Sequence, residues 1–308
     1  MKNIILTGGH GFLGKRVANL LKAQEAQLTI PSHADCDLRF SDQVDSLFSS
    51  ASKNGLVDCV IHAAATVGGI GATASRPADF IADNLMMGLN VIRAAHVFGA
   101  AKVVLINSVC AYPAHTPIPF NEANLWEGYP EETNAPYGIA KRTLGAVLSA
   151  YKAQYGMQGA NLILSNLYGP GDNFSLETSH VIPALILKMH SAKTMSKPSV
   201  TIWGTGKPSR DFLYVQDAAE AVVMAAAKIV NPMPINIGTG EEINILWTAQ
   251  QIAHHICYEG KLVFDSTKPD GQMRRAVDIS RAKSILGWQP QTEFKDGLQQ
   301  TVEWFMKG

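Results

Sequence analysis

The chain has 308 residues, 46% of them apolar, and its 26 Lys plus Arg balance 26 Asp plus Glu. That is enough for one large core or two joined ones, and the lack of net charge argues against broad electrostatic attraction to nucleic acid or an anionic membrane. Cys36, Cys59, Cys110 and Cys257 form no CxxC and no close pair with histidine, so neither a disulfide framework nor a metal site is expected, and no stretch approaches the ~20 apolar residues of a membrane span. A soluble, unprocessed protein of the reducing cytoplasm is the expectation.

In chain order, short β-branched runs alternate with longer amphipathic ones. NIILT (3–7), QLTI (27–30), CVIH (59–62), KVVLI (102–106) and NLILSN (161–166) read as strands, and KRVANLLKAQ, DFIADNLMMGLNVIRAAHVFG and GIAKRTLGAVLSAYKAQYG as helices between them. Alternation of this kind predicts an α/β protein with a doubly wound parallel sheet of the Rossmann type, whose ligands sit at the carboxyl ends of the strands. Past residue 166 the rhythm breaks into Gly- and Pro-rich connections and further helices, which predicts a smaller C-terminal α/β lobe for the substrate. The expected division is 1–165, with 212–237 returning to it, against 166–211 and 238–308.

The first strand runs into GGHGFLG and then a helix. Gly8, Gly11 and Gly14 permit a tight turn and close backbone approach, and a helix N-terminus offers free N–H groups to a pyrophosphate, so these glycines with His10, Phe12 and Leu13 are candidates to hold a dinucleotide. An NAD site usually carries an acid after the second strand. Here Pro31, Ser32 and His33 stand there, with no carboxylate before Asp35, which favours NADP held by Ser32, His33 and His10; solvated loop residues are the alternative.

NSVCAYP (107–113) places Ser108 and Cys110 two apart after an apolar run, so both should leave one face of the strand end. In NAPYGIAKR, Tyr137 and Lys141 stand four apart on a helix and share a face. A lysine cation beside the ring lowers a phenol from about 10 toward neutrality, fitting it to exchange a proton with a carbonyl or alcohol oxygen, and Ser108 could hydrogen-bond the same oxygen. A chance surface pair is the bland reading of YxxxK, as a small buried hydrophobe is of Cys110.

Gly8, Gly11 and Gly14, HAAA (62–65), Asn84, Ser108, Tyr137 with Lys141, and RDFLYVQD (210–217) together resemble the extended short-chain dehydrogenase/reductase family over almost the whole chain. VGGI (67–70), SVCAYP, NAPYGIAK, NLYGPGDNF (166–174), SHVIPALI (179–186), WGTGKPSRDF (203–212) and KPDG (268–271) look like the branch that converts GDP-4-keto-6-deoxy-D-mannose to GDP-L-fucose by 3,5-epimerisation and NADPH-dependent 4-keto reduction. The resemblance implies a Ser108, Tyr137, Lys141 triad for reduction and a Cys110, His180 pair for epimerisation. It also implies that Ala63, Ala64, Ala65, Lys141, Asn166, Leu167 and His180 touch the cofactor. Val67, Ser108, Val181, Lys188, Trp203, Arg210 and one of Arg274 and Arg275 would meet the GDP-sugar.

The pair makes chemical sense: a C4 ketone acidifies C3 and C5, and inversion needs a base on one face and an acid on the other. For His180 the bland alternative is local helix capping with Ser179. Lys188 stands where relatives often have arginine, and LSN (164–166) replaces the usual PTN. Three alternatives remain open: the same chemistry on another GDP-4-keto sugar, a deoxy sugar or a heptose; a redox-neutral 4-epimerase or dehydratase with a tightly held cofactor; and a silent nucleotide-binding protein. Relatives commonly dimerise through two long helices, which here span about 79–99 and 136–156, with Met86, Met87, Leu89, Leu144 and Leu148 as candidates; core burial would equally explain those residues.

Overall fold

The computed structural model describes residues 1–53 and 55–307. Strands β1 (Asn3–Thr7), β2 (Gln27–Thr29), β3 (Cys59–His62), β4 (Lys102–Ser108) and β5 (Gln158–Leu164) alternate with helices α1 (Phe12–Ala23), α2 (Ser41–Ser52), α3 (Ile70–Ser75), α4 (Pro77–Val97) and α5 (Ala135–Tyr155). The strands are apolar runs because helices cover both faces of the sheet: every residue of β1 and β3 is buried. Proline at the first position of α4 loses no helical hydrogen bond there. Glycine at C′ of α5, Gly156 at φ 74°, ends that helix in a conformation few other residues accept.

The second half adds β6 (Asn166–Tyr168), α6 (Val181–Thr194), β7 (Ser199–Trp203), β8 (Ser209–Arg210), β9 (Phe212–Tyr214), α7 (Val215–Lys228), β10 (Pro234–Ile237), β11 (Ile243–Asn244), α8 (Ile245–Ile256), β12 (Lys261–Asp265) and α9 (Phe294–Met306). The six-stranded sheet has the order β10-β5-β4-β3-β1-β2, all parallel, so β10 returns to the edge beside β5. Helices α1 and α7 pack on one face, and α2, α4 and α5 on the other. A separate core gathers Ile182, Leu185, Ile186 and Met189 of α6 with Val200, Ile252 and Leu298. Three two-stranded pairs, β6 with β9, β7 with β12 and β8 with β11, frame it.

Two local findings depart from the sequence reading. NLILSN straddles two elements: β5 ends at Leu164, Ser165 donates to Ile237 O, and Asn166 opens β6 against a different partner. Leu144 and Leu148 lie in the molecule's own core, Leu144 against Gly88, where a Cβ would stand 2.3 Å from its Cδ1. They are not available to another subunit, whereas Met86 and Leu89 are exposed.

One carboxylate fastens the two cores together. Asp211, fully buried, accepts hydrogen bonds from Thr239 N and Oγ1 (both 2.9 Å), Gly240 N (3.0 Å) and Val277 N (3.4 Å), while its carbonyl accepts from Asn166 N and Nδ2. Burial raises its carboxyl above the ordinary value against the pull of those donors. Among the described residues no helix is long and apolar enough to cross a membrane.

Candidate active site

A single cavity of about 1280 Å³ lies along the carboxyl ends of β1, β3 and β4 and continues toward α6 and β7. Every candidate site residue of the sequence except Arg274 lines it. Arg274 points outward and pairs with Glu242 at the surface, so of the two adjacent arginines Arg275 is the one at the cavity.

At one end, packing explains the glycines. Gly8 has φ +72° and a Cβ there would lie 2.5 Å from Ala64 N; a Cβ on Gly14 would lie 2.0 Å from Gly8 O. These two let α1 and the loop after β3 close on the turn. Gly11 differs: only Gly8 O stands near, at 3.2 Å, and the rest of its surface faces the cavity. No side chain caps the start of α1, so its first N–H groups are left for an anion. This cradle fits a dinucleotide pyrophosphate. Nearby, Asn84 bolts the loop after β3 in place, accepting from Thr66 N and donating to Thr66 O and Phe80 O.

Beyond β2, the Ser32 hydroxyl is taken up in its own turn: it donates to Asp35 Oδ2 at 2.6 Å and accepts from Asp35 N at 3.2 Å. His10 and His33 line the cavity instead with open side chains. Sequence reading missed Arg39, which also lines it, bound at 2.6 Å to Asp37 and at 3.4 Å to Asp83. Hydrogen bonds from Arg39 hold Asp37 down at about 2.

At the centre, β4 stops at Ser108, and Cys110 lies on the 3₁₀ turn Val109–Ala111 rather than on the strand. Ser108 Oγ accepts from Cys110 N at 3.2 Å, which caps that turn and fixes the two side chains relative to each other. Helix α5 comes close because Gly138 has no Cβ, which would lie 2.2 Å from Cys110 O. Lys141, buried, donates from Nζ to Ile106 O at 3.0 Å and stands 5.8 Å from the Tyr137 ring centroid. Burial pushes Lys141 down to about 8. Burial and the neighbouring Cys110 push the Tyr137 phenol up, with the Ser108 hydroxyl pulling the other way. The expected lowering of the phenol is thus reversed within the folded pocket: the ammonium is bonded to a main-chain carbonyl, and desolvation sets the direction of the shift.

Cys110 Sγ accepts from Arg275 Nη1 at 3.5 Å, and Arg275 is only 5% exposed. His180 is the N-cap residue of α6, yet its side chain makes no capping bond and opens into the cavity. Desolvation in that recess, then the charge of Arg275, lowers its pKa. The capping alternative with Ser179 therefore fails. Ser179 Oγ, Ser165 Oγ and Asp172 Oδ2, all on residues lining the cavity, find no hydrogen-bond partner within the protein. Asp172 is pushed up to about 7 by burial, with Arg16 opposing.

At the far end Trp203 is half exposed, with Lys188 Nζ at 5.6 Å and Lys268 Nζ at 5.4 Å from its ring centroid. Arg210 donates only to main-chain carbonyls, those of Ser209, Gln272 and Asp270 at 2.8, 2.6 and 3.2 Å, and burial pushes it down to about 9. Val181 and Val67 complete this side. Asp270 and Gln272, unremarked in the sequence beyond their motif, shape it: Asp270 accepts from Thr205 N and Oγ1, and Gln272 Nε2 donates to Ala114 O at 2.9 Å.

A glycine cradle at the head of α1 and a Ser, Tyr, Lys group at the end of β4, facing one cavity, define a dinucleotide-dependent enzyme of carbonyl and alcohol chemistry. Residues 4–238 match the NAD dependent epimerase/dehydratase family, and the chain belongs to it. It is 40% identical over 305 residues to GDP-L-fucose synthase 1 of Arabidopsis thaliana, covering 99% of this chain and 93% of that one. A solved GDP-6-OMe-4-keto-L-xylo-heptose reductase from C. jejuni superposes with a TM-score of 0.91 at 29% identity, covering 99% and 98% of the two chains. A GDP-L-fucose synthetase from Naegleria fowleri bound to NADP gives a TM-score of 0.87 at 29% identity, covering 99% and 94%.

Proposed function

We propose that this protein epimerises GDP-4-keto-6-deoxy-D-mannose at C3 and C5 and reduces its 4-ketone with NADPH, yielding GDP-L-fucose. The carrying observation is that Cys110 and His180 line the same cavity as Ser108, Tyr137 and Lys141. Reduction alone has no use for that pair. Identity of 40% to a GDP-L-fucose synthase over nearly the whole chain supports the same reading.

With the sugar's C4 oxygen between Ser108 and Tyr137, the ketone is polarised by two hydroxyls. Cys110, as thiolate, removes the acidified proton from C3 or C5; the C–H electron pair passes into the enolate at O4. His180, protonated, returns a proton to the carbon from the opposite face. Bound NADPH supplies a hydride to C4. Tyr137 gives its phenolic proton to O4, and the Lys141 ammonium, when charged, stabilises the phenolate left behind. Arg210 and Lys188 meet the diphosphate, and Trp203 offers a flat face to the base. Gly8, Gly11, Phe12, Leu13 and Gly14 hold the pyrophosphate, Ala63 to Ala65, Asn166 and Leu167 flank the dinucleotide, and His10 and His33 receive the 2′-phosphate. Residues 1–165 with 212–237 carry the cofactor and 166–211 with 238–308 the nucleotide sugar. The protein works in the cytoplasm as a homodimer through the exposed sides of α4 and α5.

Incubation with GDP-4-keto-6-deoxymannose and NADPH in deuterated water should give product carrying deuterium at both C3 and C5. NADPH consumption without deuterium at either carbon overturns the epimerase assignment. The likeness to a heptose reductase supports a second reading, the same chemistry on a GDP-4-keto heptose. Turnover of the heptose alone would select it.

A further inference from the structure

We propose that Arg275 holds Cys110 as a thiolate, so that the base of the epimerisation is a cysteine with an arginine counter-ion. This rests on the reading of Cys110 as base and adds the group that keeps it ionised. A free cysteine is only a few per cent ionised near pH 7, and nothing in the sequence near Cys110 supplies a cation.

The fold supplies one from 165 positions away. Arg275 Nη1 donates to Sγ at 3.5 Å, and its Nε donates to the neutral Gln272 Oε1 at 3.2 Å. Arg275 is buried and makes no ion pair among the described residues. A buried guanidinium without an anion is costly, and the sulfur is the anion within its reach. Gln272 is itself tied to Ala114 O, just past the Cys110 turn, so the arginine is aimed by the segment that carries the cysteine.

The other charged groups around the sulfur reinforce this. Arg210 of β8 is lowered by burial and then by Arg275, with Cys110, Glu131 and Asp270 opposing, and its hydrogen bonds go to carbonyls. Tyr137 of α5 is raised by burial and then by Cys110, and His180 ahead of α6 is lowered by desolvation and then by Arg275. Of these groups Arg275 alone is hydrogen-bonded to the sulfur. The arrangement separates roles: a guanidinium, which does not release its proton near neutral pH, balances the sulfur, leaving His180 to act as proton carrier on the other face. As the thiolate takes the carbon proton, sulfur becomes neutral thiol and the negative charge passes to O4. Arg275 acts on the sugar only through Cys110 and is therefore a positioning residue for the base.

The test follows Cys110 alkylation by iodoacetamide against pH in the full-length protein, read by mass spectrometry of its peptide. Wild type should be alkylated at pH 7 about tenfold faster than Arg275→Gln, with Arg275→Lys between the two. A folded Arg275→Gln that reacts as fast as wild type overturns the proposal, as does a wild-type thiol no more reactive at pH 7 than free cysteine, whether or not the variants fold. Cys110→Ser tests the parent reading separately: full deuterium uptake at C3 and C5 in that variant removes cysteine as the base, whatever the alkylation profile shows.

Discussion

Lys141 is held against its own preference. Its folded pKa of about 8 lies below the ordinary lysine value because burial disfavours the ammonium. Between those two values the unfolded chain binds the extra proton, so stability should rise with pH across that window, and below about pH 8 the whole burial penalty is present, roughly 3 kcal/mol at most. Lys141→Met should stabilise the protein by about 1–2 kcal/mol at pH 7, allowing for the Ile106 carbonyl it leaves without its donor. That advantage should shrink as pH rises above 8, read as Tm against pH. Parallel curves for the two proteins would refute the penalty. Hydride transfer, which needs the ammonium, should fall as pH rises through about 8 in the wild type. It should fall by about 10²–10⁴ in Tyr137→Phe, while deuterium exchange at C3 and C5, in which Ser108 still polarises the ketone, falls much less; equal loss of both would mean that proton donation by Tyr137 is as necessary to the epimerisation as to the reduction. Tyr137 and Lys141 were legible because helical spacing alone makes them neighbours. The direction of the phenol shift was not, since spacing tells how near a cation stands and not how much water remains. Arg274 and Arg275 adjoin in sequence and point to opposite environments, which only the fold decides.

Among the elements, α1 and its turn separate packing from binding. Gly14→Ala puts a methyl 2.0 Å from Gly8 O, a backbone atom that cannot yield, and should cost at least about 3 kcal/mol or prevent folding. Gly11→Ala meets one atom at 3.2 Å and otherwise projects toward the cavity; it should keep the Tm within a few degrees while weakening NADPH about tenfold or more in a fluorescence titration. A Gly11→Ala protein with unaltered NADPH affinity would move the pyrophosphate elsewhere. Long apolar strands such as β1, β3 and β4 announce themselves because burial on both faces forces continuous hydrophobicity. Strands β6, β8, β9 and β11, of two or three residues each, are too short to carry a period and exist only through their partners. Arg39, Asp172 and Asp270 escaped notice for a related reason: each sits on a connection whose place in the cavity is set by distant pairing.

At the scale of the whole molecule, the apolar residues left outside after the chain has folded are the informative ones. Met86, Leu89, Val97 and Tyr155 remain exposed on α4 and α5, Tyr155 stacked on His96 at 4.1 Å. The proposed dimer should appear in light scattering of the wild type and give way to a monomer in Met86→Glu with Leu89→Glu, with Tm no longer dependent on concentration; a monomeric wild type or an unchanged mass in the variant would remove this interface. The buried Asp211 joins stretches of chain near 166, 239 and 277, and β10 carries the chain back into the main sheet between two visits to the second core. No continuous stretch of chain therefore contains the whole of the second core, and a change of residue in loops such as 172–180 and 268–275 leaves every donor to this carboxylate in place.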